Sequence, residues 1–128
     1  MPQCHNPTLI SLAFCLFFLL AGGLALADDD PEIEYLLDTV AQSEHSFLRN
    51  GEAHDGPEAA GHLRKKYEYR SDDIDGAEAF IEQAASGSWL SGEPYRVQMA
   101  DGSTELTRDW LSSRLAEYRQ RRQSADAR

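Results

Sequence analysis

The chain has no cysteine beyond Cys15, no apolar run long enough to cross a bilayer, no internal repeat, and no catalytic or cofactor motif. Both cysteines, Cys4 and Cys15, fall within residues 1–27. If that stretch is removed, the remainder holds no disulfide and offers neither a thiol nucleophile nor a thiolate metal ligand. The apolar segment Leu9–Leu20 is nearer a dozen residues than the roughly 20 that a spanning helix needs, which argues against a permanent membrane anchor. Lys and Arg are missing from the first residues, where only the amino terminus and His5 supply positive charge. Phe14, where a lipoprotein signal needs a small residue before its cysteine, excludes lipid attachment at Cys15.

What is present reads as an export signal. The apolar core is followed by the breaker Gly22-Gly23 and by Ala25-Leu26-Ala27, a small-x-small site just ahead of Asp28-Asp29-Asp30, and this order predicts cleavage after Ala27 and a periplasmic protein. The charge all lies beyond that point, 22 Asp and Glu against 12 Lys and Arg, for a net charge of -10. On a domain of about 100 residues, which is one domain with a modest core, such a balance disfavours nucleic acid and anionic lipid and favours cationic partners.

The pattern beyond the signal predicts a mostly helical α+β domain, four helices with a short antiparallel strand pair. Asp30 is set to cap a helix from Pro31 to about Ser43, with Ile33, Leu36, Leu37 and Val40 at helical spacing. An extended piece, Ser46-Phe47-Leu48-Arg49, ends at the turn signal Asn50-Gly51. Asp55 with Glu58, and Asp75 with Glu78, read as capping boxes for a second helix reaching toward Arg70 and a third carrying Ala77, Phe80, Ile81 and Ala84 to a stop at Gly87. A loop from Ser86 to Glu93 leads to a strand, Tyr95-Arg96-Val97-Gln98-Met99, and the turn Ala100-Asp101-Gly102. The last helix starts near Thr107, buries Trp110, Leu111, Leu115 and Tyr118, and ends in Arg114, Arg119, Arg121 and Arg122, which suit the negative end of its dipole. The tail from Gln123 is expected to fray.

Three constellations invite a chemical reading. Ser71 to Glu82 places acidic residues and Gly76 as a calcium loop would, but Ser71 is a poor first ligand and the cap explains the same residues, so no calcium binding is expected. Glu58 and His62 lie one helical turn apart and are weak candidates for a metal or a general acid-base pair, with His54 and Asp55 close by; a solvated helix face explains them as well. Trp89 and Trp110 raise the thought of a carbohydrate platform. Trp110 belongs to the core by its spacing, and Trp89 in its loop stays open.

Several strings occur together: Phe47-Leu48-Arg49-Asn50-Gly51, Glu58-Ala59-Ala60 with His62-Leu63-Arg64 and Lys66, Ala77-Glu78-Ala79-Phe80-Ile81, Ser91-Gly92-Glu93-Pro94-Tyr95, and Trp110-Leu111. In this order the chain resembles the YfeK-like family of small exported bacterial proteins, a domain of unknown function (domain of unknown function 5329). The resemblance implies an envelope protein of Gram-negative bacteria and no reaction. It also implies that relatives carry cysteines at the positions of His45 and Met99 here. If those positions face each other across two antiparallel strands, paired numbers sum to 144: Phe47 meets Val97, and Arg49 meets Tyr95. The Arg49-Asn50-Gly51 turn then lies beside the Ser91–Pro94 loop. Arg49 would pack on Tyr95 as a structural cation-π contact, or Arg49, Asn50, His54 and Tyr95 would present donors to an anionic or glycan ligand with Trp89 as an apolar wall.

With no catalytic set in view, the leading reading is a non-enzymatic binding or protein-interaction module of the cell envelope, without a cofactor, whose partner is an envelope protein or a cell-wall ligand. Two alternatives stand beside it. Ser91-Gly92-Glu93-Pro94-Tyr95 also fits a Ser-Gly-x-x-Tyr loop of periplasmic lysozyme inhibitors, and an acidic protein is steered toward a basic enzyme of that kind. The other is a small metal-dependent cell-wall hydrolase using His54, Asp55, Glu58 and His62. The export reading has a direct check: intact mass of the protein recovered from the periplasm should correspond to a chain starting at Asp28, and a full-length or lipid-modified mass would refute it.

Overall fold

In a computed structural model, which describes residues 30–128, the chain enters helix α1 (Pro31–Gln42) through Asp30. The Asp30 carboxylate accepts from the backbone N–H groups of Glu32 (2.8 Å) and Ile33 (3.3 Å), and Pro31 occupies the first turn, where no amide donor is needed. The face carrying Ile33, Leu36, Leu37 and Val40 is buried. The export signal itself lies outside the described residues.

Strand β1 (Ser46–Arg49) and β2 (Glu52–His54) form a hairpin, followed by α2 (Gly56–Tyr69), α3 (Ala77–Gln83), β3 (Arg96–Gln98), β4 (Thr104–Leu106) and α4 (Thr107–Asp126). The expected strand pair is therefore the centre of a four-stranded antiparallel sheet, ordered β2-β1-β3-β4. The two edge strands are three residues each, too short and too exposed to show an alternating pattern. In the central pair Ser46 faces Gln98, Phe47 faces Val97 and Leu48 faces Arg96, so the predicted register holds. It stops one residue early: Tyr95 donates its amide to the Ser86 carbonyl and accepts from the Thr107 amide, which takes both its backbone groups away from Arg49.

One face of the sheet lies on the helices. Phe47 and Val97 are buried, and the Phe47 ring meets Trp110 edge-on at 5.7 Å between centroids, a favoured aromatic geometry. Phe80, Leu36, Leu111 and Ala84 complete the core with no exposed surface. Tyr118 is only partly buried and stacks on Tyr35 at 4.3 Å. Three bidentate or bridging ion pairs clamp the helix ends: Arg64 on Glu34 at 3.0 and 2.7 Å, and Arg119 on Glu32 at 2.7 and 2.8 Å with a further contact to Glu78. Forked geometry of this kind gives direction as well as attraction.

Three expectations need correction. Asp75 does not cap α3; Gly76, with a φ of 95°, stands at that position without a side-chain cap. Ile74 is drawn into the core and both Asp73 and Ile74 donate to the Arg70 carbonyl, so the chain is still turning at residue 75 and only glycine completes the turn cheaply. At α2, Asp55 does cap, accepting from Glu58 N–H at 2.9 Å, but the Glu58 side chain turns to His54 instead of closing the box. The last helix remains regular to Asp126, so the coil expected from Gln123 begins at Ala127.

Because Ser46 faces Gln98, His45 and Met99 continue the ladder by one pair. Replacing both by cysteine should give a disulfide on mild oxidation, read as a mobility shift on non-reducing gels, with up to about 4 kcal/mol of stabilisation from the closed loop. Failure to form the bridge would contradict the register.

Candidate functional site

The β1–β2 turn, one face of α2 and the loop before β3 enclose a groove of about 480 Å³. The volume lies in the range of small-ligand sites. Asn50 and Gly51 both have positive φ, 52° and 83°, as a two-residue type I′ hairpin turn requires. That tight turn ends β1 with Arg49 and sets Asn50 at the rim. On α2, His62, Lys65, Lys66 and Tyr69 recur at helical spacing and all line the groove. The opposite wall is Ser88, Trp89 and Leu90, and Tyr95 closes the floor.

The loop is held in shape by its own polar groups. Ser88 Oγ accepts from the amides of Leu90 and Ser91 at 3.2 and 3.3 Å, and the Gly92 amide donates back to the Ser88 carbonyl. Ser91 Oγ donates to Asn50 Oδ1 at 2.7 Å, which ties the loop to the hairpin. The indole of Trp89 donates to the Gln83 carbonyl at 2.8 Å. Gly87 sits where the loop doubles back: a Cβ there would lie 2.7 Å from the Glu93 carbonyl oxygen, a separation that side chains do not tolerate.

The floor is a chain of three polar groups, two of them buried and the third, His62, half-buried. Lys66 is only 6% exposed, and its ammonium donates to the Gly87 carbonyl at 2.7 Å and to the Tyr95 hydroxyl at 3.0 Å. That hydroxyl lies 3.1 Å from His62 Nε2. Since ammonium only donates, Tyr95 accepts from Lys66, and its own O–H is placed to donate to His62 Nε2, the pairing made by a neutral imidazole protonated on Nδ1. Burial, reinforced by the positive charges of Arg49 and Lys66, pushes His62 down to about 4. Burial and Arg49 likewise bring Lys66 down to about 8, and burial raises Tyr95 against the opposing pull of Arg49. Lys66 Nζ also lies over two rings, 4.5 Å from Trp89 and 4.7 Å from Tyr95, and Arg70 is 4.9 Å from the Trp89 centroid.

Of the five expected binding residues, Arg49, Asn50, Trp89 and Tyr95 come together in this groove, and His54 does not. His54 lies in a neighbouring cavity of about 30 Å³, walled also by Phe47, Leu63 and Thr107, with space for about one water molecule. Its Nδ1 is 3.0 Å from Glu58, and its Nε2 is buried without a hydrogen bond, 3.8 Å from Glu52. Glu58 and His62 are thus engaged in opposite directions, on His54 and on Tyr95. No group of three His, Cys, Asp or Glu side chains among the described residues is arranged to hold a metal. The cation over the Tyr95 ring is Lys66, in place of the expected Arg49, because α2 passes beneath the ring while the Arg49–Tyr95 ladder pair does not form.

Lys65 and Lys66 are the groove residues that sequence reasoning missed. The signal was a lysine at a core position, since Lys66 follows Ala59, Ala60 and Leu63 on the buried side of α2. A lysine there is nearly always paired or hydrogen-bonded for a reason.

Fold and site together describe a small α+β domain with one cationic, aromatic-walled groove. The chain belongs to a family of unknown function, DUF5329, whose model matches residues 27–119. It is similar to the uncharacterized protein YfeK of Salmonella typhimurium, 41% identical over 70 residues that make up 54% of this chain. The match spans 58% of that relative's length. No solved structure matches the chain.

The neutral His62 has a consequence for stability. Its folded-state value lies below the ordinary one, so between pH 6.5 and about 4 the unfolded chain takes up a proton that the folded chain resists, and stability falls as pH falls through that window. Urea midpoints measured from neutral pH downward should show this loss, and His62→Gln should flatten the slope above the carboxylate range. An unchanged slope in the variant would remove His62 as its source.

Proposed function

We propose that this protein is an exported, non-enzymatic binding module of the cell envelope whose groove takes an anionic ligand, the carboxylate or phosphate of a cell-wall or envelope component. The observation that carries this reading is electrostatic. On a chain with net charge -10, Arg49, Lys65 and Lys66 converge on one groove. Among the described residues none of the three pairs with a carboxylate, whereas Arg64, Arg114 and Arg119 all do. An acidic protein has acids to spare, so leaving three neighbouring cations unneutralised keeps their field directed at whatever enters.

Each group has a part to play. Arg49 and Lys65 supply charge and donors at the rim. Lys66 is held beneath them as a fixed positive charge, its own donors partly spent on Gly87 and Tyr95. Trp89, 43% exposed with Lys66 and Arg70 over its ring, offers apolar surface beside those cations to a sugar ring or another apolar body. The buried polar chain from Lys66 to His62 holds these walls in place and has no exposed nucleophile. Tyr95 is buried with its hydroxyl engaged twice, which makes the Ser91–Tyr95 loop a poor inserting element for an enzyme cleft.

The test uses two soluble probes, N-acetylmuramic acid for a sugar carboxylate and glycerol 3-phosphate for a phosphate monoester. At low salt, at least one should shift the Trp89 indole N–H resonance saturably. Arg49→Ala should weaken that binding by about tenfold, the loss of one charge-assisted contact, while stability changes by no more than about 1 kcal/mol, since the half-buried Arg49 has no carboxylate partner among the described residues to lose. Absence of any shift with both probes at millimolar concentration would overturn the reading, and a large loss of stability with binding intact would assign Arg49 to the fold.

A further inference from the structure

We infer that the anion recognised by this groove is carried on a lipid, and that the protein docks reversibly on an anionic membrane surface through the rim formed by Tyr69, Trp89 and Leu90. The inference rests on the reading of the groove as an anion site and names the source of the anion.

The carrying observation is where the exposed apolar surface falls. Among the described residues the large hydrophobic side chains left exposed are Tyr69 at 81%, Trp89 at 43% and Leu90 at 100%. All three border the same groove as Arg49, Lys65 and Lys66. Tyr69 and Trp89 are neighbours, with centroids 6.0 Å apart, and Arg70 lies against the outer wall on the Trp89 ring. A fully exposed leucine costs solubility and gains the fold nothing. Its position is nonetheless fixed, because Ser88 holds the Leu90 amide and the loop is pinned through Ser91 to Asn50. A rigid leucine at a loop tip, flanked by Trp and Tyr and backed by four cations, has the composition of a surface that meets the headgroup region: aromatics at the interface, an aliphatic tip beneath it, cations level with the phosphates.

Net charge alone points the other way, since an acidic protein is repelled from an anionic bilayer at a distance. Screening decides between the two. At physiological ionic strength the Debye length is about 8 Å, so charges elsewhere on the domain are largely screened at the point of contact while the four local cations are not. The expected binding is therefore weak, reversible and orientation-specific. No helix among the described residues is long and apolar enough to cross a membrane, so the contact is peripheral, consistent with one short apolar rim and a handful of charges.

Sedimentation of the mature protein with phosphatidylcholine vesicles, with and without about 30% phosphatidylglycerol, an anionic lipid, tests this. Protein should pellet with the anionic vesicles only and be released by high salt. Leu90→Ser, which adds no charge, should reduce pelleting at least about tenfold and by far more than it weakens the Trp89 shift given by soluble anions, whereas Lys65→Glu should reduce both alike. Soluble-anion binding with no pelleting would sink the lipid inference and leave the anion site standing, and neither signal would remove both. Leu90→Ser pelleting like the unaltered protein would also overturn the inference, because it would take the rim out of the contact.

Discussion

The ammonium of Lys66 is buried between helix α2 and the loop that precedes β3, and the shape of the groove depends on it. Removing a charge from water is expensive unless its protons find acceptors. Here two of them do, on the Gly87 carbonyl and the Tyr95 hydroxyl, and the two ring faces above the ammonium supply further attraction. The consequence is mutual constraint. Gly87 and Tyr95 bracket the loop, so satisfying one lysine fixes both its ends relative to α2. Tyr95, held by its hydroxyl, then has a donor to offer His62, and the neutral imidazole follows first from its burial and then from the positive charges of Arg49 and Lys66.

The protein uses its cations in two ways. Arg64 and Arg119 neutralise Glu34, Glu32 and Glu78 with short, forked contacts, joining the start of α1 to α2, α3 and α4. These pairs are partly exposed, so each contributes little to stability alone, and their main effect is to orient the helix ends. Arg49, Lys65 and Lys66 line the groove without a carboxylate partner among the described residues. Three of this acidic protein's cations thus converge on one groove, and the large exposed hydrophobic side chains among the described residues, Tyr69, Trp89 and Leu90, border it.

Family membership adds a frame without a reaction. The matched region takes in the whole sheet and α1 to α3 along with most of α4. Three of the five strings that carry the resemblance meet in space at the groove: Arg49 and Asn50 from one, His62 and Lys66 from the next, and Ser91 and Tyr95 from another. Parts of the chain far apart in sequence thus build one surface.

Much of the fold is legible in the amino-acid sequence alone. Local chemistry decides the first helix through Asp30 and Pro31, the hairpin through Asn50-Gly51, and the core faces through apolar spacing, since each depends only on residues within a turn or two. The central register is also accessible, by way of the resemblance. What sequence could not decide was set by packing. Asp75 and Glu78 make as good a capping box on paper as Asp55 and Glu58, but burial of Ile74 keeps the chain turning and moves the helix start past Asp75. Strands β2 and β4 exist because neighbours supply hydrogen bonds to three-residue segments that have no pattern of their own. Lys66 stands at a core position of its helix, but the sequence by itself could not show what satisfies its buried charge. That depends on a loop more than twenty residues away bringing a carbonyl and a hydroxyl to within hydrogen-bond distance, and long-range contacts of this kind are chosen by the whole fold.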